Sequence, residues 1–231
     1  AYYGRLRNVT TLSDAVTVLG FSMMRSLAVA ASLNSLLRDG IHRKFVRGLW
    51  DHSLAVAIGG RLICRKLRLP IAEQAFLACL MHDLAKLILL LRFPSEYEPV
   101  LEEARQGFSV ERDLEERFLG VTHEQLGATI LRQWNFPSEL TEAVRLHHDP
   151  ESEIPARMQS KTTDDERRMA HIIALADALA HSHGYGIRDA ARTDLITHPS
   201  ADRLELAPDA LTQISEDLVR HMAEERGLYG S

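Results

Sequence analysis

Two aspartates stand where ionised side chains are costly. Asp83 lies in Leu80-Met81-His82-Asp83-Leu84-Ala85-Lys86, inside the most hydrophobic stretch of the chain. Asp177 is isolated in Ile172-Ile173-Ala174-Leu175-Ala176-Asp177-Ala178-Leu179-Ala180. Burying a carboxylate in such surroundings costs several kcal/mol unless a cation or several donors meet it. Histidines are at hand, eleven in all. His82 directly precedes Asp83, and His52 follows Trp50-Asp51 among small apolar residues. His123 opens one segment, and His147-His148 closes another. A lone histidine is usually a satisfied core or surface residue. Two carboxylates embedded in core-like helices, with several histidines available, are what a buried transition-metal site needs. Mixed imidazole and carboxylate ligation suits divalent iron, manganese, zinc, cobalt or nickel better than calcium. Two such ions can share a bridging carboxylate and activate a water.

Other residues have plainer readings. Lys86 projects one helical turn beyond Asp83, and a snorkelling surface lysine explains it as well as a site residue does. His171, His181, His183, His198 and His221 read as surface residues. Trp50 and Trp134 read as core residues flanking the site. The Ser53 hydroxyl is expected to bond back to its own helix. Cys64 and Cys79 lie in apolar helical contexts and read as buried small hydrophobes. The Glu and Arg run from Glu111 to Arg117 reads as a solvated helix face.

The elements that must position these residues are helical. Short helices are expected over Ser13–Leu19 and about Ser22–Arg38, stopped by Gly20 and by Asp39-Gly40. The next runs from about Arg43 to Leu67, before Pro70 forbids continuation. Another starts near Ala72 and stays apolar to Leu91, a central helix buried on nearly all sides. Pro94-Ser95 caps a more charged segment ending at Gly107, and Ser109 begins the following one. Thr122-His123-Glu124-Gln125 matches a capping box, with its helix reaching about Trp134. Pro137-Ser138 starts a helix that ends near His147. Residues 149–164 read as an exposed loop, Glu166–His183 as an amphipathic helix, and Pro208 as the first turn of a final helix to about Glu225. No alternating strand pattern of convincing length occurs, so the fold class is all-α. The expected organisation is one helical domain over 1–185, with a C-terminal helical extension over 186–231 packed on it.

Composition narrows the function. The chain has 231 residues, 45% hydrophobic and 26% charged, which suits a folded core. A net charge of -5 offers no footprint for nucleic acid or an anionic membrane. Two cysteines cannot make a disulfide framework, so a reducing cytoplasm is expected. The apolar stretch from Leu77 to Leu91 is interrupted by His82, Asp83 and Lys86, so no membrane span is expected. The first residue is not Met, which suggests a fragment or a processed product.

The ordered set His52, His82-Asp83 and Asp177 resembles the ligand sequence of the HD-domain metal-dependent phosphohydrolases, an all-α superfamily. Longer phrases resemble one branch of it, the HD-related output domain (HDOD) of bacterial signalling proteins. They are Ala1-Tyr2-Tyr3-Gly4, Ala15 to Gly20, Leu49-Trp50-Asp51-His52-Ser53 and Ala78 to Lys86. Further on come His123 to Ala128, Trp134-Asn135-Phe136-Pro137, His147-His148 and Ala176 to Ala180. The resemblance implies an HD-like multi-helix bundle holding one or two divalent transition-metal ions. By it, His52, His82, Asp83 and Asp177 form the core ligand set, with Asp83 bridging if two ions bind. His123 and one or both of His147 and His148 complete a second position. Asp83 and Lys86 would be the catalytic residues of an active hydrolase, Lys86 contacting phosphate. HDOD proteins usually carry further helices before the segment matching Ala1-Tyr2-Tyr3-Gly4. The cyclic-dinucleotide phosphodiesterase branch carries a Gly-Tyr-Pro signature soon after its paired histidines, whereas Asp149-Pro150-Glu151-Ser152 follows here. The implied function is therefore a signalling output domain that works with a protein partner or a fused sensor or receiver domain. The alternative is a metal-dependent phosphohydrolase or phosphodiesterase acting on a phosphorylated small molecule, a nucleotide or cyclic dinucleotide. A metal-free helical scaffold would leave Asp83 and Asp177 unexplained.

Overall fold

The expected helical periodicity folds into ten α-helices among the residues that the computed structural model describes, 43–106, 111–152, 163–187 and 194–229. No strand occurs among them. The helices are α1 (Arg43–Lys66), α2 (Ala72–Met81), α3 (Leu84–Arg92), α4 (Pro94–Arg105) and α5 (Glu111–Leu119). Then follow α6 (His123–Gln133), α7 (Ser138–Leu146), α8 (Asp164–Ser182), α9 (Pro199–Arg203) and α10 (Pro208–Tyr229). The helices expected before residue 40, and most of the loop expected over 149–164, lie outside the described residues. Those described, apart from Arg43 itself, belong to one compact unit, Lys44–Ser231.

Each boundary has a local cause. At the end of α1, Arg68 takes a left-handed conformation with φ 54°, and the Leu69 amide returns to the Cys64 carbonyl at 2.9 Å, a turn that Pro70 then makes final. Asn135, at φ 55°, ends α6 in the same way, with the Phe136 amide 3.0 Å from the Leu131 carbonyl. Thr163 starts α8 with a capping box: its hydroxyl accepts from the Glu166 amide at 3.2 Å, and Glu166 Oε2 accepts from the Thr163 amide at 2.6 Å.

Two expectations fail at helix ends. The capping box at Thr122 does not form; its hydroxyl is buried without a hydrogen-bond partner. Glu115 of α5 takes over, and its Oε2 accepts from the His123 amide at 2.7 Å. The long central helix is in fact two. His82 and Asp83 separate α2 from α3, and His82 Nδ1 lies 2.6 Å from the Cys79 carbonyl. The ring thereby competes for a carbonyl that the next amide of a continuous helix would use.

By length and composition alone, Ala72–Arg92 would reach across a membrane, contrary to the sequence expectation, but 78% of its most apolar window is buried inside the protein. That is the burial of a core helix interrupted at His82 and Asp83. Around it, α8 packs on α2, α7 and α9, while α7 packs on α2 and α6. Helix α3 packs on α4 and α6, and α4 on α5. Met81, Leu84, Leu90, Leu131, Leu146, Ile172 and Leu175 are fully enclosed. Close approach of α1 requires Gly60, since a Cβ there would run into Cys79 Sγ. Cys64 and Cys79 are buried and free, as expected. Trp134, expected in the core, is 39% exposed at the end of α6.

Candidate metal centre

The break between α2 and α3 turns His82 and Asp83 inward together, both no more than 2% exposed. Helix α1 brings His52 to them: its Nε2 lies 3.6 Å from Asp83 Oδ2 and 3.0 Å from Asp177 Oδ1 on α8. His82 Nε2 lies 3.4 Å from Asp83 Oδ2 and 4.0 Å from Asp177 Oδ1. On the other side of Asp83, His123 Nε2 stands 3.3 Å from Oδ1. His147 packs edge-on against His82, with ring centroids 5.1 Å apart, and His148 Nε2 is 2.9 Å from His123 Nε2. The seven residues singled out in the sequence thus converge, although they come from three helices, α1, α6 and α8, and from the turns after α2 and α7.

The rings are oriented by their far nitrogens. His52 Nδ1 faces the Tyr185 carbonyl at 3.0 Å, His82 Nδ1 that of Cys79, and His147 Nδ1 that of Val144 at 2.6 Å. His123 Nδ1 faces Glu115 Oε2 at 2.7 Å. An Nδ1–H donated to each acceptor leaves all four Nε2 atoms aimed at the centre, the pattern by which proteins prepare imidazoles for a metal. His82 Nε2, His147 Nε2 and Asp83 Oδ1 are buried and have no hydrogen-bond partner. His52, His82 and Asp177 can bring one atom each to within 4.8 Å of one another, as can His82, Asp83 and His147, and His123, His147 and His148. These groups mix imidazole nitrogens with hard carboxylate oxygens, and they fit a divalent transition ion.

The electrostatics agree. Burial disfavours charge on His82 and pushes its pKa down to about 3. Burial likewise lowers His147. Burial alone would raise Asp83, but the surrounding histidines and the Lys86 ammonium, 2.9 Å from Oδ2, hold it well below the usual carboxylate range. For His52, burial is outweighed by Asp177 and Asp83, which favour a proton on the ring; the same two carboxylates would favour a cation in its place.

Several plain readings are corrected. Lys86 is no surface lysine: it is 5% exposed, and its Nζ sits between Asp83 Oδ2 and Glu111 Oε2, the latter at 2.5 Å. Helix α5 is solvated on one side only: Asp113, Glu116 and Arg117 are exposed, but Glu111 and Glu115 are both buried. His181 joins the site, with Nε2 3.3 Å from Asp177 Oδ1 and its ring 4.6 Å from that of His52. Gly186 takes φ 149°, a conformation that L side chains rarely adopt, where the backbone passes these two rings. His171 is buried between Ser200 Oγ and Glu151 Oε1, each at 3.1 Å. For His181 the available signal was its own spacing of four from Asp177.

The chain belongs to the HDOD domain family, whose model matches residues 1–150. Its fold is similar to that of an HDOD domain protein of unknown function from Geobacter sulfurreducens, at 22% identity and TM-score 0.70, covering 97% of this chain and 76% of that one. A protein from Marinobacter aquaeolei VT8 described as a signal transduction protein is 24% identical, with TM-score 0.65; this chain is covered in full and spans 49% of that one. The response regulator MmoQ from Methylococcus capsulatus is 26% identical over 88% of this chain and 73% of that fragment, with TM-score 0.58. No functionally curated protein matches the chain.

Proposed function

We propose that this chain is a signalling output domain built around a retained divalent metal centre. The observation that carries the reading is the set of buried, partnerless atoms, His82 Nε2, His147 Nε2 and Asp83 Oδ1, enclosed by imidazoles whose other nitrogens are already engaged. His52, His82, Asp83 and Asp177 would hold one ion; His123, His147 and His148 would hold a second, with Asp83 between them. Such ions would supply Lewis acidity at this point of the core. A domain tied together there by three helices and two turns is suited to passing a change in one helix to the others. Membership of the HDOD family, and likeness to proteins described as signal transducers, support output rather than catalysis. The working unit would be a partner protein, or a fused sensor or receiver domain, acting on a domain centred on residues 1–185 in the cytoplasm.

A phosphohydrolase is the second reading, favoured by the ammonium of Lys86 beside Asp83. Catalysis would require that ammonium to turn from Glu111 toward a phosphoryl oxygen. Elemental analysis of protein purified without chelator, followed by assays on phosphodiester and phosphomonoester substrates, separates the two. Bound metal with negligible turnover is expected. Metal-dependent hydrolysis of a nucleotide that is lost in Asp83→Ala would establish the second reading instead, and absence of metal would end both.

A further inference from the structure

We propose that Glu115 is a positioning residue of this centre, setting the tautomer and ring direction of His123 so that its Nε2 faces Asp83. The inference rests on the metal reading above. Glu115 is fully buried, on a helix that contributes no residue to the expected ligand set. Its Oε2 accepts from both the backbone amide and the Nδ1 of His123, each at 2.7 Å, and its Oε1 accepts from the Tyr97 hydroxyl at 2.5 Å. Tyr97 is itself fully enclosed. Burial and the adjacent Glu115 push its phenol well above the ordinary range, so it remains a donor. Glu124 Oε2, buried and 3.6 Å from the same Nδ1, adds a second carboxylate on that side. Nδ1 faces Glu115 at 2.7 Å with Glu124 beside it, whereas Nε2 faces Asp83 at 3.3 Å, so the proton belongs on Nδ1 and the free pair on Nε2.

A purely structural role as the cap of α6 makes a different prediction. In Glu115→Gln the amide oxygen can still accept from the His123 amide and Nδ1, while its NH2 meets the Tyr97 oxygen; the cap survives and the charge does not. Two measurements decide. In metal-free wild type, at a pH where the ring is neutral, 15N shifts of His123 should show Nδ1 protonated and Nε2 bare. Titration with Mn2+ alone should give a Kd roughly 10–100-fold weaker in Glu115→Gln than in wild type, the usual effect of losing the partner carboxylate, whose charge holds the proton on Nδ1 and makes Nε2 more basic, at unchanged helical content. A wild-type His123 protonated on Nε2 alone, or a Kd within twofold in Glu115→Gln, overturns the role. The wild-type ring measurement holds whether or not the variant folds. No Mn2+ binding by the wild type overturns the metal reading, and the ring measurement then decides Glu115 by itself.

Discussion

Asp83 is where charge is most tightly confined, meeting Lys86, His52, His82 and His123 within 3.6 Å. Asp83→Ala should therefore abolish metal content by elemental analysis. In chelated protein it should also lower stability to urea by about 3 kcal/mol, the lower end for breaking a buried pair, since Glu111 still holds the lysine. Metal content equal to wild type would exclude Asp83 as a ligand. His171 gives a separate test in pH. Burial outweighs Glu151 and lowers its folded pKa below 6.5. The unfolded chain then binds the proton first, so its contribution to stability is present above the ordinary imidazole pKa and falls as pH drops through it. His171→Gln should flatten the slope of stability against pH between about 7 and 5; an unchanged slope would show that the ring is not held neutral. At this scale the sequence exposes what is chemically out of place. Asp83 and Asp177 stand out because their neighbours are apolar. Glu111 and Glu115 do not, because a run of Glu and Arg reads as solvated, although their spacing with Leu114 puts all three on one face.

Helices were legible from apolar spacing, and their ends were legible where the signal was local, as at Pro70 and Pro208. The interruption at His82 was not, because it comes from a side chain taking a backbone carbonyl inside an otherwise favourable apolar run. Nor was the loss of the Thr122 cap, since the replacing carboxylate arrives from another helix. The capping box that does form should carry the usual weight: Thr163→Ala is expected to cost about 1 kcal/mol by urea unfolding. Between elements, the approach of α1 to α2 fixes Gly60. Gly60→Ala should destabilise by about 1–3 kcal/mol through overpacking. Adding Cys79→Ala should recover most of that, since it removes the sulfur that the new methyl meets. Additive losses in the double variant would show that the two helices separate instead of clashing.

For the molecule as a whole, the proposed centre links α1, α6 and α8 with the turns after α2 and α7, so metal and fold should be thermodynamically coupled. Free ion at a hundredfold excess over its Kd should add about 2.7 kcal/mol. For a chain of this size that raises Tm by roughly 5–10 °C, reversed by chelator; an unchanged Tm would separate binding from folding. The way the rings are held has a consequence for how such a domain drifts over generations. Three of the four orienting acceptors are main-chain carbonyls, of Tyr185, Cys79 and Val144, and no replacement of those side chains deletes them. The fourth is the carboxylate of Glu115, which one codon change removes. Mutational fragility of the ring orientations is thus concentrated at a single acidic position, and a lineage retaining every histidine and aspartate could relinquish the second ion position there first.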